Sequence, residues 1–121
     1  MFATGLYIDG NRITRVQVNT NNNSSISDMI DGDIDAVTRT TQDGQMFSVF
    51  VNDIGLFSDF EMNPIASIIA GSYLVGPAVI TGTAPNGETT SVPASVIAHA
   101  THILETMALH QAFGSSDQLP V

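Results

Sequence analysis

Four carboxylates fall within eight residues of one short stretch of the chain, DMIDGDIDAV. They are Asp28, Asp31, Asp33 and Asp35. Oxygen ligands at alternate positions are typical of an EF-hand calcium loop, and a count that starts at Asp31 fills its first three carboxylate positions. The sixth position, which requires glycine, is Ala36, and the twelfth, which requires glutamate, is Gln42. We therefore interpret the stretch as a helix end followed by a strand that holds Asp33 and Asp35 in solvent.

A second near match concerns phosphate binding. Gly82 and Gly87 have the separation of the two glycines of a P-loop, and they follow a strand-like apolar segment. The next residue would have to be lysine, because its ammonium group reaches the phosphates, but it is Glu88. We interpret Asn86-Gly87 as a tight turn between strands instead.

A third near match lies on the predicted C-terminal helix, where imidazole and carboxylate side chains follow each other at intervals of three. His99, His102 and Glu105 could each bind zinc. At 100° per residue the three side chains spread over roughly 120° of the helix surface, which is wider than one ion favours. We expect no bound metal and no cofactor. Because no serine nucleophile motif is present either, an enzyme is not expected.

The basic residues offer one candidate binding site. Arg12, Arg15 and Arg39, together with Tyr7, fall on predicted strands and could bind an anion through bidentate hydrogen bonds if those strands were adjacent. The alternative is that they are isolated surface arginines.

The charge balance limits the partners. Three Lys/Arg against 12 Asp/Glu give a net charge of -9, and no lysine is present. A nucleic-acid backbone or an anionic membrane needs several basic contacts, so we expect neither as a direct ligand. The chain has no cysteine, which excludes disulfides and thiolate metal sites. No apolar run is long enough for a membrane span or a secretion signal, so a cytoplasmic protein is expected.

Turn and cap residues predict the elements. Asp9-Gly10-Asn11 and Gln42-Asp43-Gly44 separate pairs of strand-like segments. Ser25 and Asp28 resemble a capping box for a short helix that Gly32 would end. Two further helices are predicted. Cap residues for the second short helix are Asn63, Pro64 and Gly71. The long helix follows Pro93 and extends from Ala94 to about Phe113.

These elements predict an α+β fold, with a small, mostly antiparallel sheet of about five strands, two short helices and one long C-terminal helix packed on it. Residues 1–114 form one predicted domain, and 115–121 a flexible tail. The predicted core consists of Leu6, Ile8, Ile13, Val16, Ile34, Val49, Val51, Ile68, Val79, Ile80, Val96, Ile103 and Met107.

The long helix has a second predicted face. Its core stripe is expected to include Val96, Ile97, Ala100, Ile103, Leu104 and Met107. The remaining line comprises His102, Thr106, Leu109 and Phe113. An aligned apolar pair in solvent suggests a contact, and we predict a symmetric homodimer through this face. The alternative is that the tail folds back over it.

Four short segments carry a resemblance to a known family. They are Gly32-Asp33-Ile34-Asp35-Ala36-Val37, Asn52-Asp53-x-Gly55-Leu56, Asn63-Pro64-x-Ala66 and Val75-Gly76-Pro77-Ala78-Val79. In this order they resemble the domain-of-unknown-function family 3846, small proteins of bacteriophages and actinobacteria. The chain departs from the family pattern at Asp35, where glutamate is usual, and in its lack of lysine. The resemblance implies a small accessory protein and no known catalytic residues.

The preferred hypothesis is a non-enzymatic, acidic interaction protein, encoded by a phage or mobile element, that binds a host or viral protein. One alternative is an anti-defence protein that mimics DNA, although 12 carboxylates imitate a duplex only thinly. Another is a nucleotide sponge that uses the arginines and Tyr7.

Overall fold

The computed structural model describes residues 1–53 and 60–112. Its elements are β1 (Phe2–Asp9), β2 (Arg12–Asn19), α1 (Ser24–Ile30), β3 (Ile34–Thr40), β4 (Met46–Asn52), α2 (Pro64–Ala70), β5 (Ala78–Thr83), β6 (Thr89–Thr90) and α3 (Ala94–Ala112). The α+β class and the long C-terminal helix are confirmed. The predicted helix end at Phe113, the domain boundary at 114 and the tail, 115–121, lie outside the described residues.

The sheet has the strand order β2-β1-β5-β4-β3, with the two-residue β6 beside β5. All strand pairings of the described residues are antiparallel. The hairpins predicted at Asp9-Gly10-Asn11 and Gln42-Asp43-Gly44 join β1 to β2 and β3 to β4. The expected sheet of about five strands is therefore confirmed, and β6 adds a short sixth.

Both faces of the sheet are covered by helices, one more fully than the other. The larger core packs α2 and α3 against one face. Its buried side chains include Leu6, Ile8, Val49, Val51, Ile65, Ile69, Ile80, Val96 and Ile103. The smaller core packs α1 against the other face through Ala3, Val18, Ile26, Ile30, Phe50 and Val79. None of the described helices combines the length and hydropathy that a membrane crossing requires.

The core stripe of α3 agrees with its prediction. Val96, Ala100 and Ile103 are buried, and the remaining members of the stripe pack against them while partly exposed. The buried positions recur at intervals of four and three, which is the period of an amphipathic helix. Of the other predicted core residues, Ile13, Val16, Ile34 and Met107 are only partly buried.

One predicted core residue is in solvent. Ile68 has 55 % of its side chain exposed, because α2 turns Ile65 and Ile69 toward the sheet. Ala66 and Ala70 complete the buried side of the helix. At 100° per residue, Ile68 falls outside that side and points away from the sheet, although it is three positions after Ile65 and one before Ile69. The prediction for Ile68 is wrong, and its side chain is part of the outer surface of α2.

The ends of α1 also differ from the prediction. Its N-cap is Asn23, and the hydroxyl of Ser25 accepts a hydrogen bond from the Asn19 N–H at 3.1 Å instead of capping the helix. The left-handed residue that ends α1 is Asp31, with φ 61°, and Gly32 follows with φ 156°. Aspartate tolerates this conformation better than most residues, so the helix ends one position earlier than predicted.

Candidate functional site

An apolar surface lies on the outer side of α2 and the chain that follows it. Ile68, Tyr73 and Met62 are exposed by 55 %, 64 % and 46 %, respectively. They border a shallow groove of about 400 Å³ lined by Met62, Pro64, Ser67, Ile68, Gly71, Ser72 and Tyr73. We call this surface the α2 patch. Single exposed apolar residues are ordinary, but a contiguous group of large ones marks a contact surface.

The local sequence fixes the helix under the α2 patch. Pro64 occupies the first turn, where its missing N–H costs nothing, and the Asn63 carboxamide oxygen accepts the Ala66 N–H at 3.1 Å. At the other end Gly71 adopts φ 66° and donates its N–H to the Ser67 carbonyl. Both ends are therefore capped as the sequence predicts, and the outward position of Ile68 is set by the backbone.

Tyr73 is held beside the helix by hydrogen bonds on the residues around it. The Ser67 hydroxyl accepts the Leu74 N–H at 2.9 Å and donates to the Leu74 carbonyl at 3.1 Å. The Asn63 N–H donates to the same carbonyl at 2.8 Å, and Met62 forms an isolated bridge with Val75. The three exposed side chains of the patch thus project from backbone that is already fixed, which lowers the entropy cost of binding.

Asn63 connects this substructure to the sheet. It is 2 % exposed, and its amide nitrogen donates to the Ile8 carbonyl at 3.0 Å and the Gly76 carbonyl at 2.9 Å. Together with the cap on Ala66, these contacts use both donors and the oxygen of one buried carboxamide. Such a group stabilises only the arrangement that satisfies it, so Asn63 anchors the start of α2 to β1.

The charges beside the α2 patch are mostly negative. A neighbouring groove shares Met62 with the patch and is lined by Asp9 and Glu61, both exposed. On the side of Ser72, the Arg39 guanidinium donates to the Ala70 carbonyl at 2.8 Å and to the Ser72 hydroxyl at 3.2 Å. The exposed carboxylates face solvent, and the Arg39 guanidinium hydrogen-bonds α2 while its side chain stays exposed.

The predicted anion pocket is not assembled. Arg39 lies on β3 at one edge of the sheet, and Arg12 and Arg15 lie on β2 at the other edge. Four strand spacings separate the edges, roughly 19 Å at about 4.8 Å each. Because strand residues alternate between faces, Arg12 and Arg15 also point to opposite sides. The premise that the three arginines are on adjacent strands is wrong.

The remaining members, Tyr7 and Arg12, share a face, but Asp9 is directly opposite Arg12 in the β1–β2 register. Burial raises the pKa of the Tyr7 phenol, and the nearby charge of Asp9 raises that pKa further. The phenol is therefore neutral at physiological pH, and the negative charge of Asp9 disfavours an anion beside Arg12.

The near matches to metal and phosphate sites have structural explanations. In the described part of the chain, no group of three His, Asp or Glu side chains is placed to hold a metal ion. Gly82 lies where β6 crosses β5, and a Cβ there would come well under 3.0 Å from the Ser91 carbonyl oxygen. Gly87 has φ 88° at the end of the turn that begins at Ala84, and its N–H donates to the Ala84 carbonyl. The two glycines thus meet separate backbone requirements.

The predicted oligomer face of α3 is exposed where it is described. His102, Thr106 and Leu109 face solvent, with Leu109 exposed by 59 %, and Phe113 lies outside the described residues. The Thr106 hydroxyl donates to the His102 carbonyl, so it is turned toward its own helix. Leu109 is therefore the one large apolar contact of this face within the described helix, and the homodimer through it stays a prediction.

A cleft of about 490 Å³ lies between the β3–β4 turn and the start of α3. Phe47 and Ile69 line it together with residues 40–43, Ser95 and His99. None of these described lining residues is Arg or Lys, and Asp43 contributes a negative charge. The cleft therefore does not favour the phosphates that a nucleotide sponge would have to bind.

The described residues form a small α+β fold with an exposed apolar patch on α2 and its flank. Residues 3–105 match the model of a Domain of unknown function (DUF3846). The chain belongs to this family, as the four sequence segments predicted. No curated protein and no solved structure matches the chain.

Several residues that carry the family resemblance have structural roles. A Cβ on Gly32 would lie 2.5 Å from the side-chain nitrogen of Asn52, which itself donates to the Asp31 carbonyl at 3.0 Å. A Cβ on Gly76, which has φ 76°, would lie 3.0 Å from the Phe60 ring. Asn63 is the buried carboxamide described above. These motif residues fix the corners of the fold, so the motifs alone indicate architecture rather than chemistry.

Proposed function

We propose that this protein is a non-enzymatic interaction protein that binds a partner protein through the α2 patch. The observation that carries the proposal is the exposure of Ile68, Tyr73 and Met62 on a capped helix and its hydrogen-bonded flank. Aromatic and methionine side chains are enriched in the centres of protein interfaces. A rigid apolar surface of this kind suits a binding role and needs no reacting group.

The patch also suggests the chemistry of the partner. An apolar side chain of the partner fills the groove between Ile68 and Tyr73, and Lys or Arg side chains beside it meet Asp9 and Glu61. The net charge of -9 raises the association rate for such a partner and suppresses acidic ones. Added salt is therefore expected to slow association more than it weakens the apolar contact.

We further propose, from the family resemblance, a phage or mobile-element origin, action in the cytoplasm and a host or viral protein as the partner. The DNA-mimic alternative receives less support, because 12 carboxylates in 121 residues imitate a duplex only thinly, and β3 contributes just one of them, Asp35, close to Arg39. The nucleotide-sponge alternative loses its pocket, since its arginines lie at opposite edges of the sheet.

Ile68→Asp is expected to abolish partner capture. The new carboxylate would be desolvated at the centre of the contact, and replacing a central anchor costs 2 kcal/mol or more, about 30-fold in Kd. The measurement is affinity capture from host lysate with immobilised wild type and variant, followed by mass spectrometry of the bound proteins.

Leu109→Asp is the matched control, because it makes the same chemical change at an equally exposed apolar residue on α3. The partner should be retained by wild type and by Leu109→Asp and lost with Ile68→Asp. A partner that remains bound to Ile68→Asp, or that is lost with Leu109→Asp alone, would contradict the assignment of the patch.

A further inference from the structure

Strand β3 is one edge of the sheet, and its outward backbone groups can be identified. The Asp53 N–H donates to the Asp33 carbonyl, and the Thr41 N–H donates to the Gln45 carbonyl. In an antiparallel ladder the bonded pairs alternate, so the odd-numbered residues of β3 bond to β4. The N–H and C=O groups of residues 34, 36, 38 and 40 consequently point away from the sheet.

Two of these outward groups contact charged side chains of β3 itself. The Asp35 carboxylate accepts the Ala36 N–H at 2.9 Å, and the Arg39 guanidinium donates to the Thr38 carbonyl at 3.1 Å. Asp35, Ala36, Thr38 and Arg39 are all exposed. The edge is therefore accessible, and its polar groups are held by side chains that can exchange them for a paired strand.

We propose that β3 pairs antiparallel with β3 of a second copy of this chain, with the two-fold axis at Val37. Val37 is the central residue of the seven-residue strand, so this register pairs the strand over its full length. Ala36 is then opposite Thr38 of the second copy, and their outward N–H and C=O groups form the bonded pairs. The interface is isologous and closes as a dimer.

Charge complementarity selects the second copy as the occupant. With the axis at Val37, Asp35 of each copy is directly opposite Arg39 of the other, and both lie on the same face because both are odd-numbered. Two opposite-charge pairs thus form by symmetry, each at a non-bonded position where side chains approach most closely. A strand of unrelated sequence would have to supply both charges at this same spacing.

The other edge of the sheet lacks this property. Strand β2 contains Arg12 and Arg15 and no carboxylate, so a self-pairing of β2 brings no opposite charges together. On the opposite face of β3, the small side chains of Ala36 and Thr38 allow the two copies of the strand to approach closely. Three residues of the chain are Lys or Arg. One of them, Arg39, is at the β3 position that is opposite Asp35 across this axis.

The test uses Asp35→Arg and Arg39→Asp, each alone and mixed. Either variant alone places like charges opposite each other twice and is expected to run as a monomer by light scattering at micromolar concentration. The mixture is expected to restore a dimer, because every pair across the axis is again Arg with Asp. Wild type should have twice the 12.8 kDa chain mass.

Ala36→Pro is a second variant for the case in which Arg39→Asp fails to fold, since Arg39 also contacts α2. Its N–H points outward, so proline removes a dimer bond without removing a bond to β4. Leu109→Asp should leave this dimer intact, whereas a homodimer through the α3 face would be lost with it. A wild-type monomer, a dimer that survives Asp35→Arg and Ala36→Pro, or a dimer lost with Leu109→Asp would overturn the proposal. Ile68→Asp should not change the mass, which separates this interface from the α2 patch.

Discussion

Asn63→Ala is expected to lower the free energy of unfolding by about 3–5 kcal/mol, the largest effect of any single side-chain truncation outside the apolar core. The substitution leaves the Ile8 carbonyl in a buried site and the Gly76 carbonyl in a partly buried one without the Asn63 donors, and it removes the N-cap of α2. Each unsatisfied buried group costs about 1–3 kcal/mol, and the cap contributes about 1 kcal/mol more.

Urea unfolding followed by circular dichroism measures the change, with Asn86→Ala as the control. Asn86 makes one side-chain hydrogen bond, to the Glu88 N–H in an exposed turn, so its loss should cost well under half as much. Asn63→Asp keeps the cap acceptor but loses both donors, and it should also be strongly destabilised. An Asn63→Ala midpoint within error of wild type would mean that α2 is not held to β1 in this way.

Gly82→Ala is expected to cost about 3 kcal/mol, at the upper end of the range for overpacking. The added methyl would overlap the Ser91 carbonyl, and that backbone cannot retreat cheaply. The Ser91 hydroxyl accepts the Thr4 N–H at 3.0 Å, and the Val92 N–H donates to the Thr4 carbonyl at 2.9 Å. Moving β6 away would therefore break the contact between this segment and β1.

Gly87→Asn is the control for Gly82→Ala. A Cβ at Gly87 meets nothing within 4 Å, and asparagine tolerates a positive φ better than most residues, so the change should be small. Thermal unfolding of both variants tests whether Gly82 is required by the close approach of the Ser91 backbone and Gly87 only by the turn. Equal melting temperatures for the two variants would contradict the close approach of β6 to Gly82.

The local features of the fold could be predicted from sequence because their causes are local. Turn residues placed the β1–β2 and β3–β4 hairpins, and Asn63, Pro64 and Gly71 placed α2. The α3 stripe was predicted because nineteen residues contain enough turns to establish a helical phase. Each of these depends on contacts between residues that are close in the chain.

The errors have non-local or marginal causes. The predicted anion pocket is not assembled because of the strand order. The insertion of β5 between β1 and β4 is not visible in the spacing of Arg15 and Arg39. The helical phase of α2 determines whether Ile68 is buried or exposed. Seven residues that include three isoleucines leave that phase poorly defined. The pairing of Ile65 with Ile69 at an interval of four was the available indication that Ile68 points outward. The α2 patch was missed for this reason.

The most direct test of the α2 patch places the photoreactive amino acid benzoylphenylalanine at Tyr73, at Leu109 or at Thr14, one position per variant, in cells that contain the partner. Tyr73 lies in the patch, whereas Leu109 and Thr14 are exposed elsewhere. Irradiation should yield one discrete adduct from position 73, absent when Ile68→Asp is added, and none of the same mass from 109 or 14. An adduct that forms equally at all three positions, or only at 109 or 14, would contradict the binding role of the α2 patch.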